Sequence, residues 1–201
     1  MIKAIGYAAQ SATAPLAPMN FERRSPRPDD VAIEILFCGV CHSDIHQARD
    51  EWGFAAYPLM PGHEIVGKVT AIGADVSKYK VGQLVGVGCM VDSCRSCDAC
   101  KANLENYCQN GMTPTYAGYD RIDGTLTMGG YSNSIVVSDR FVVSIPENST
   151  RQRPRRFSAR ASLLIRHSST TASKPVTRWA CLAWAASVTW VSSSPRPWAL
   201  K

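Results

Sequence analysis

Four cysteines, Cys94, Cys97, Cys100 and Cys108, form a C-x2-C-x2-C-x7-C run. Upstream lie G-V-C-H-S-D-I-H (Gly39 to His46) and G-H-E (Gly62, His63, Glu64). Thiolates bind zinc tetrahedrally, and C-x2-C spacing lets neighbouring sulfurs converge on one ion. The four cysteines therefore predict a closed, structural zinc cage. Buried free thiols or disulfides are the bland reading. An iron–sulfur cluster of the bacterial ferredoxin type shares the first two spacings, C-x2-C-x2-C. Its fourth cysteine, however, follows after three residues and precedes proline. Here the gap is seven and Gln109 follows. The expected role of the ion is to order the lobe 91–107, since metal binding couples to local folding.

Cys41 and His63 suggest a second, open site with room for a further ligand, and open metal sites do chemistry. Glu64, beside His63, is an alternate ligand or a carboxylate close to the metal. Asp44 is spaced to hydrogen-bond the other nitrogen of a ligating histidine and so to fix its tautomer. Ser43 and His46 place a hydroxyl and an imidazole nearby. A metal ion eases proton loss from an alcohol, and a Ser–His relay can pass that proton to solvent. Taken singly, His63 also reads as a satisfied polar residue and Cys38 as core packing. Cys89 and Cys181 have no partner by spacing.

The elements that must position these groups are β-rich. Strands are expected at 2–8, 31–40, 65–72, 84–90, 135–137 and 141–145, punctuated by Gly and Pro, as in a barrel or sandwich. Short helices are expected at 43–49, capped by Ser43, and at 97–107. No apolar h-region or membrane-length apolar run stands out. Eight cysteines in such a chain favour metal ligation over disulfides, and cytoplasm is the expected location.

Composition divides the 201 residues in two. Residues 1–148 carry 12 Lys+Arg against 16 Asp+Glu and all 14 glycines. Residues 149–201 carry 10 Lys+Arg, no acid, no glycine and four of the five tryptophans. The net charge of +6 thus comes from the last quarter and is no argument for nucleic-acid affinity.

Residues 1–148 resemble the N-terminal catalytic domain of zinc-dependent alcohol dehydrogenases, in the cinnamyl alcohol dehydrogenase-like branch of the medium-chain dehydrogenase/reductase superfamily. The resemblance rests on C-G-V-C-H-S-D-I-H (Cys38–His46), Y-P-L-M-P-G-H-E-I-V-G-K-V-T-A-I-G-A-D-V (Tyr57–Val76), V-G-Q-L-V-G-V-G (Val81–Gly88), the four-cysteine run and G-G-Y-S (Gly129–Ser132). It implies a mainly β GroES-like barrel with short helices and a zinc-binding lobe over 1–148. It makes Cys41 and His63 catalytic zinc ligands, Glu64 a nearby carboxylate, Ser43 and His46 a proton relay, and Asp44 a supporting residue. Cys94, Cys97, Cys100 and Cys108 become the structural cage. Trp52 lines the substrate pocket or packs. The implied reaction is reversible oxidation of a small alcohol to an aldehyde with hydride transfer to NAD(P). Neither nucleic acid nor membrane is implied as a partner, and the family is usually homodimeric through its cofactor domain.

The family also needs, after residue 148, a third zinc-ligating cysteine in an L-L-C-A-G-I-T-like segment and a Rossmann G-x-G-x-x-G turn. Residues 149–201 contain neither. A single base lost after the codon for Asn148 accounts for this. Read one base out of frame, Ser149–Leu164 permits L-D-P-A-A-A-A-A-L-L-C-A-G-I-T-T. Leu182–Leu200 permits G-L-G-G-L-G-H-M-G-V-K-L-A-K-A-M-G-A. Both missing motifs appear in order and in a single frame. The expectation is therefore a catalytic half at 1–148 followed by an aberrant, non-native or disordered basic tail at 149–201, inactive as it stands. The alternative is a stand-alone zinc-binding module. Its tail would meet single-stranded nucleic acid through Arg151, Arg153, Arg155, Arg156 and stacked tryptophans.

Overall fold

The computed structural model describes residues 1–146. The tail at 149–201, with its expected frame change and Cys181, lies outside the described residues.

The chain is mainly β. Strands β1 (Ile2–Ala8) and β2 (Ala17–Arg23) pair antiparallel as a two-stranded sheet. A curled, half-barrel sheet of five antiparallel strands has the order β8-β3-β4-β5-β9. Its members are β3 (Asp30–Cys38), β4 (Ile65–Ile72), β5 (Leu84–Val87), β8 (Ser134–Ser138) and β9 (Val142–Ser144). A short pair, β6 (Met90–Asp92) and β7 (Thr113–Pro114), flanks the four-cysteine segment. Two helices are short: α1 (His42–Ala48) and α2 (Asp98–Lys101). No described helix is long and apolar enough to cross a membrane.

The core follows from the pleat. Successive side chains of a strand point to opposite faces. Val31 and Ile33, Ile65 and Val69, Val85 and Val87, and Ile135 and Val137 thus fall on one buried face, closed by Phe141 and Val142. Register shifts in the β3–β4 ladder between Ala32/Ile33 and Ile35/Phe37 bend this sheet, as bulges do.

Four expectations require correction. Strand β2 is additional to the expected set, since Pro18 and alternating polar residues mask it. The expected 84–90 strand is two strands, broken at Gly88 and Cys89. The expected 97–107 helix is one turn, α2, followed by a 3-10 turn at Glu105–Tyr107. Asn103, at φ 59, ends the first turn, because a left-handed residue cannot continue a right-handed helix. Ser43 also does not cap α1. The cap is Cys41, with extended backbone (φ −112, ψ 155), and Asp44 accepts the Cys41 N–H at 2.9 Å.

A charged seam joins the β2–β3 turn to the loop before β8. Asp30, 1% exposed, accepts from the Arg24 guanidinium and from the Arg27 N–H. Arg27 makes a bidentate pair with Asp120, both contacts at 3.0 Å, and reaches Asp123 at 2.7 Å. Burial raises the Asp120 carboxyl, but Arg27 and the Ile122 and Asp123 amides outweigh it and hold it down to about 2. A depressed carboxyl contributes stability above its unfolded value, about 3.9, and loses it as pH falls through the folded value. The stability difference between wild type and Asp120→Asn, measured by denaturant unfolding, should therefore shrink between about pH 4 and pH 2. A difference that stays constant across that window would count against the pairing.

Candidate metal centres

Among the described residues, two groups of ligand atoms are close enough to hold an ion. These are Cys94/Cys97/Cys100/Cys108 and Cys41/His63/Glu64, with the ligand atoms of each group within 4.8 Å of one another.

The four-thiolate group is built by the segment between β6 and β7. Cys97 starts α2, and Cys100 sits on it. The 3-10 turn at Glu105–Tyr107 then brings Cys108 back. Tetrahedral zinc with Zn–S of about 2.3 Å requires sulfurs about 3.8 Å apart. Cys94 Sγ and Cys100 Sγ lie 3.8 Å apart. Donors already point at the sulfurs. The Cys97 N–H donates to Cys94 Sγ and the Cys94 N–H to Cys108 Sγ, each at 3.4 Å. Amide donation from Ser96 and Cys97 lowers the Cys94 thiol to about 5, favouring the thiolate that metals bind. Arg95, inside the first knuckle, adopts φ 60 and pairs with Asp29 at 2.6 Å and with Asp92. It clamps the lobe to the start of β3.

The three-ligand group converges from two elements. Cys41 caps α1, while His63 and Glu64 immediately precede β4. Gly62 permits this entry. Its φ is +102, and a Cβ there would lie 2.7 Å from Tyr131 and 2.8 Å from Cys38 Sγ. Cys38 is half-buried, and burial pushes its thiol up to about 12, so it packs as a neutral thiol behind the site.

Asp44 organises the group. It is 2% exposed and accepts from Cys41 N–H (2.9 Å), Gly62 N–H (3.0 Å) and the Tyr131 hydroxyl (3.2 Å). Its Oδ1 lies 3.2 Å from His63 Nδ1. Burial alone would raise its carboxyl, but the bonds to His63 and the two amides lower it overall. With Nδ1 turned to Asp44, Nε2 is the ring nitrogen left for an ion. Tyr116 packs against His63 in a tilted arrangement, with ring centroids 5.6 Å apart. One soft thiolate, one imidazole and one carboxylate make a donor set that suits zinc.

Ser43 and His46 share a face of α1, one turn apart. Ser43 Oγ lies 3.6 Å from Cys41 Sγ. The Nδ1 of His46 pairs with the Glu51 carboxylate. Sequence reasoning passed over Glu51, because it stands in the turn after α1 rather than in a ligand motif. An acid five residues beyond the relay histidine was the available signal. That bond holds the Glu51 carboxyl below the usual carboxylate range. Trp52 lies 5.5 Å from His46 and 5.9 Å from Phe54, so an aromatic strip runs beside His46. Trp52 is 48% exposed and Phe54 64%.

Residues 27–147 match the family described as "Alcohol dehydrogenase GroES-like domain". Alcohol dehydrogenase 9 of Catharanthus roseus is 52% identical over 147 residues, covering 73% of this chain and 40% of that protein. The NADP-dependent alcohol dehydrogenase C 1 of Mycolicibacterium smegmatis is 57% identical over 143 residues, 71% of this chain and 41% of that protein. Among solved structures, a cinnamyl alcohol dehydrogenase from Sorghum bicolor superposes with a TM-score of 0.70 at 48% identity, covering 72% of this chain and 41% of that one. The CAD of Helicobacter pylori, solved with NADP(H), gives 0.71 at 43%, covering 73% and 42%. The chain spans about 40% of the length of the curated relatives it matches. With the fold, the curled sheet and the matched residues in agreement, the chain belongs to the alcohol dehydrogenase GroES-like domain family.

Proposed function

We propose that residues 1–148 are the zinc-binding catalytic half of an NAD(P)-dependent alcohol dehydrogenase that interconverts a small alcohol and its aldehyde. The observation that carries this reading is the pairing of a closed four-thiolate cage with an open Cys41/His63/Glu64 group whose histidine is fixed by a buried carboxylate. Zinc in the open group would supply Lewis acidity toward the alcohol oxygen. Cys41, His63 and Glu64 would hold it, and Asp44 fixes the His63 tautomer. Ser43 accepts the alcohol proton and hands it to His46, whose positive charge is then stabilised by Glu51. The Trp52–Phe54 strip offers the apolar body of the substrate a wall.

As encoded over 201 residues, the chain has no glycine after residue 148 and hence no G-x-G-x-x-G turn for a cofactor pyrophosphate. We infer a single-base frame change after Asn148, with a further zinc-ligating cysteine and the cofactor fold in the alternative frame. Homodimerisation belongs with that missing part.

The proposed ligand sets predict two zinc ions per chain by elemental analysis. Cys100→Ser should lose the structural ion together with order in the 91–107 lobe. His63→Ala should lose one ion and leave the lobe's amide spectrum intact. A wild-type chain that takes up a single ion would leave a stand-alone zinc module as the better reading.

The purified 201-residue chain should show no NAD(P)+-dependent alcohol oxidation. The deciding observation is an independent nucleotide read across codons 140–160. An extra base after codon 148 restores the dehydrogenase; its absence means a zinc-binding remnant. In the frame-restored protein, His46→Gln should lower kcat by about 100-fold, with zinc content unchanged. An unchanged kcat would remove His46 from the relay.

A further inference from the structure

Arg23, the last residue of β2, places its guanidinium against an unusual set of partners. Its Nη1 donates to the Met128 carbonyl at 2.7 Å, and its Nε to the Ser134 carbonyl at 3.0 Å. Its Nη2 donates to the Gly129 carbonyl and to Ser132 Oγ, each at 3.0 Å. The carbon of the fork lies 4.8 Å from the Phe21 ring. All four hydrogen bonds go to neutral oxygens. Burial, with Arg24 nearby, pushes this guanidinium down to about 9. Its neighbours on the same strand and turn behave differently, since Arg24 and Arg27 are paired with Asp30, Asp120 and Asp123.

A cation held by neutral oxygens alone is not there for charge pairing. What distinguishes arginine at such a place is a rigid, planar fork that addresses several acceptors at once. Here all four acceptors belong to one stretch of backbone, 128–134. The other side of that stretch is bonded to the entry of the metal group. Gly129 N–H donates to Met60 O at 2.8 Å, Gly130 N–H to Gly62 O at 2.8 Å, and Tyr131 N–H to Pro61 O at 3.0 Å. The fit is close: a Cβ at position 129 would lie 2.3 Å from the Pro61 carbonyl oxygen. This ladder delivers the Tyr131 hydroxyl onto Asp44 Oδ2 at 3.2 Å, and Asp44 in turn meets His63 Nδ1.

We propose that Arg23 is a positioning residue for His63: its guanidinium fork fixes the 128–134 loop, whose ladder to Met60–Gly62 and whose Tyr131 hydroxyl set Asp44 and, through it, the imidazole. This rests on reading Cys41, His63 and Glu64 as a metal group. Arg23 touches neither ligand atoms nor substrate, and its effect passes through the loop.

The test uses the 201-residue chain and zinc. Chelator competition is run on wild type and Arg23→Met, with the four-thiolate cage as the internal reference in the same molecule. The expected result is a 10- to 100-fold fall in zinc affinity at the three-ligand group, while the cage stays within twofold. No fall at the three-ligand group, or an equal fall at both, overturns the proposal. If Arg23→Met does not fold, Arg23→Lys decides on the same readout, since an ammonium keeps the charge but cannot span four acceptors in one plane. A second readout needs no metal. Long-range 1H–15N NMR of the metal-free chain should show His63 protonated at Nδ1 in wild type and as a mixture of tautomers in the variant. An unchanged tautomer overturns the proposal. If wild type takes zinc only in the cage, the metal reading fails, and the tautomer alone decides the role of Arg23.

Discussion

The carboxylate of Asp44 is the constraint on which the open site depends. Three segments far apart in sequence meet at it: the start of α1, the Gly62–His63 entry to β4, and the Tyr131 loop. A buried carboxylate with unmet acceptors would neutralise itself or open the structure. Asp44 stays ionised because four donors surround it. Each donor is also a geometric instruction, since it fixes where Cys41 starts the helix and which nitrogen His63 presents. The ligand geometry and the local fold are therefore the same set of bonds.

The two metal groups are supported by opposite means. In the four-cysteine lobe the sulfurs themselves are the scaffold. Only short turns connect them, and amide N–H groups solvate the thiolates. Arg95 then ties that lobe to Asp29 as a unit. In the open group the ligands are held by the sheet and by neighbouring side chains, through β4, α1 and Asp44. Loss of an ion should therefore unfold the first locally and leave the second largely in shape. A cage that carries its own fold can serve structure, whereas a preformed, incompletely filled group can bind and release a substrate.

The sequence made the chemistry more legible than the architecture. Strands β1 and β4 coincide with the expected 2–8 and 65–72, because their aliphatic residues recur at the buried positions of the pleat between turn-forming segments. The ligand motifs were visible because sulfur and imidazole need fixed spacings. Strand β2 was invisible, since its alternation is half polar and carries Pro18 at an edge. The 97–107 helix failed because Asn103, at φ 59, stops the right-handed helix after one turn. Long-range donors were the deepest gap. Arg23 to Met128, Arg27 to Asp120 and Tyr131 to Asp44 span 105, 93 and 87 positions, and no local pattern encodes them.

The open site is finished on one side only. Behind it, His63 and Asp44 are buried, with Tyr116 and Tyr131 packed against them. In front, His46 and Glu51 are about two-fifths exposed, and Trp52 and Phe54 beside His46 present apolar surface to solvent. Transfer of a hydride or a relayed proton needs water displaced from the reacting atoms, because fixed dipoles act strongly only in a dry cavity. On the proposed dehydrogenase reading, the described residues supply ligands, relay and one wall, but not the cover. An apolar rim around a preformed donor set is what remains when the surface that dries it lies elsewhere. On that reading, exclusion of water and completion of the ligand set are two parts of a single requirement that residues 1–146 do not meet alone.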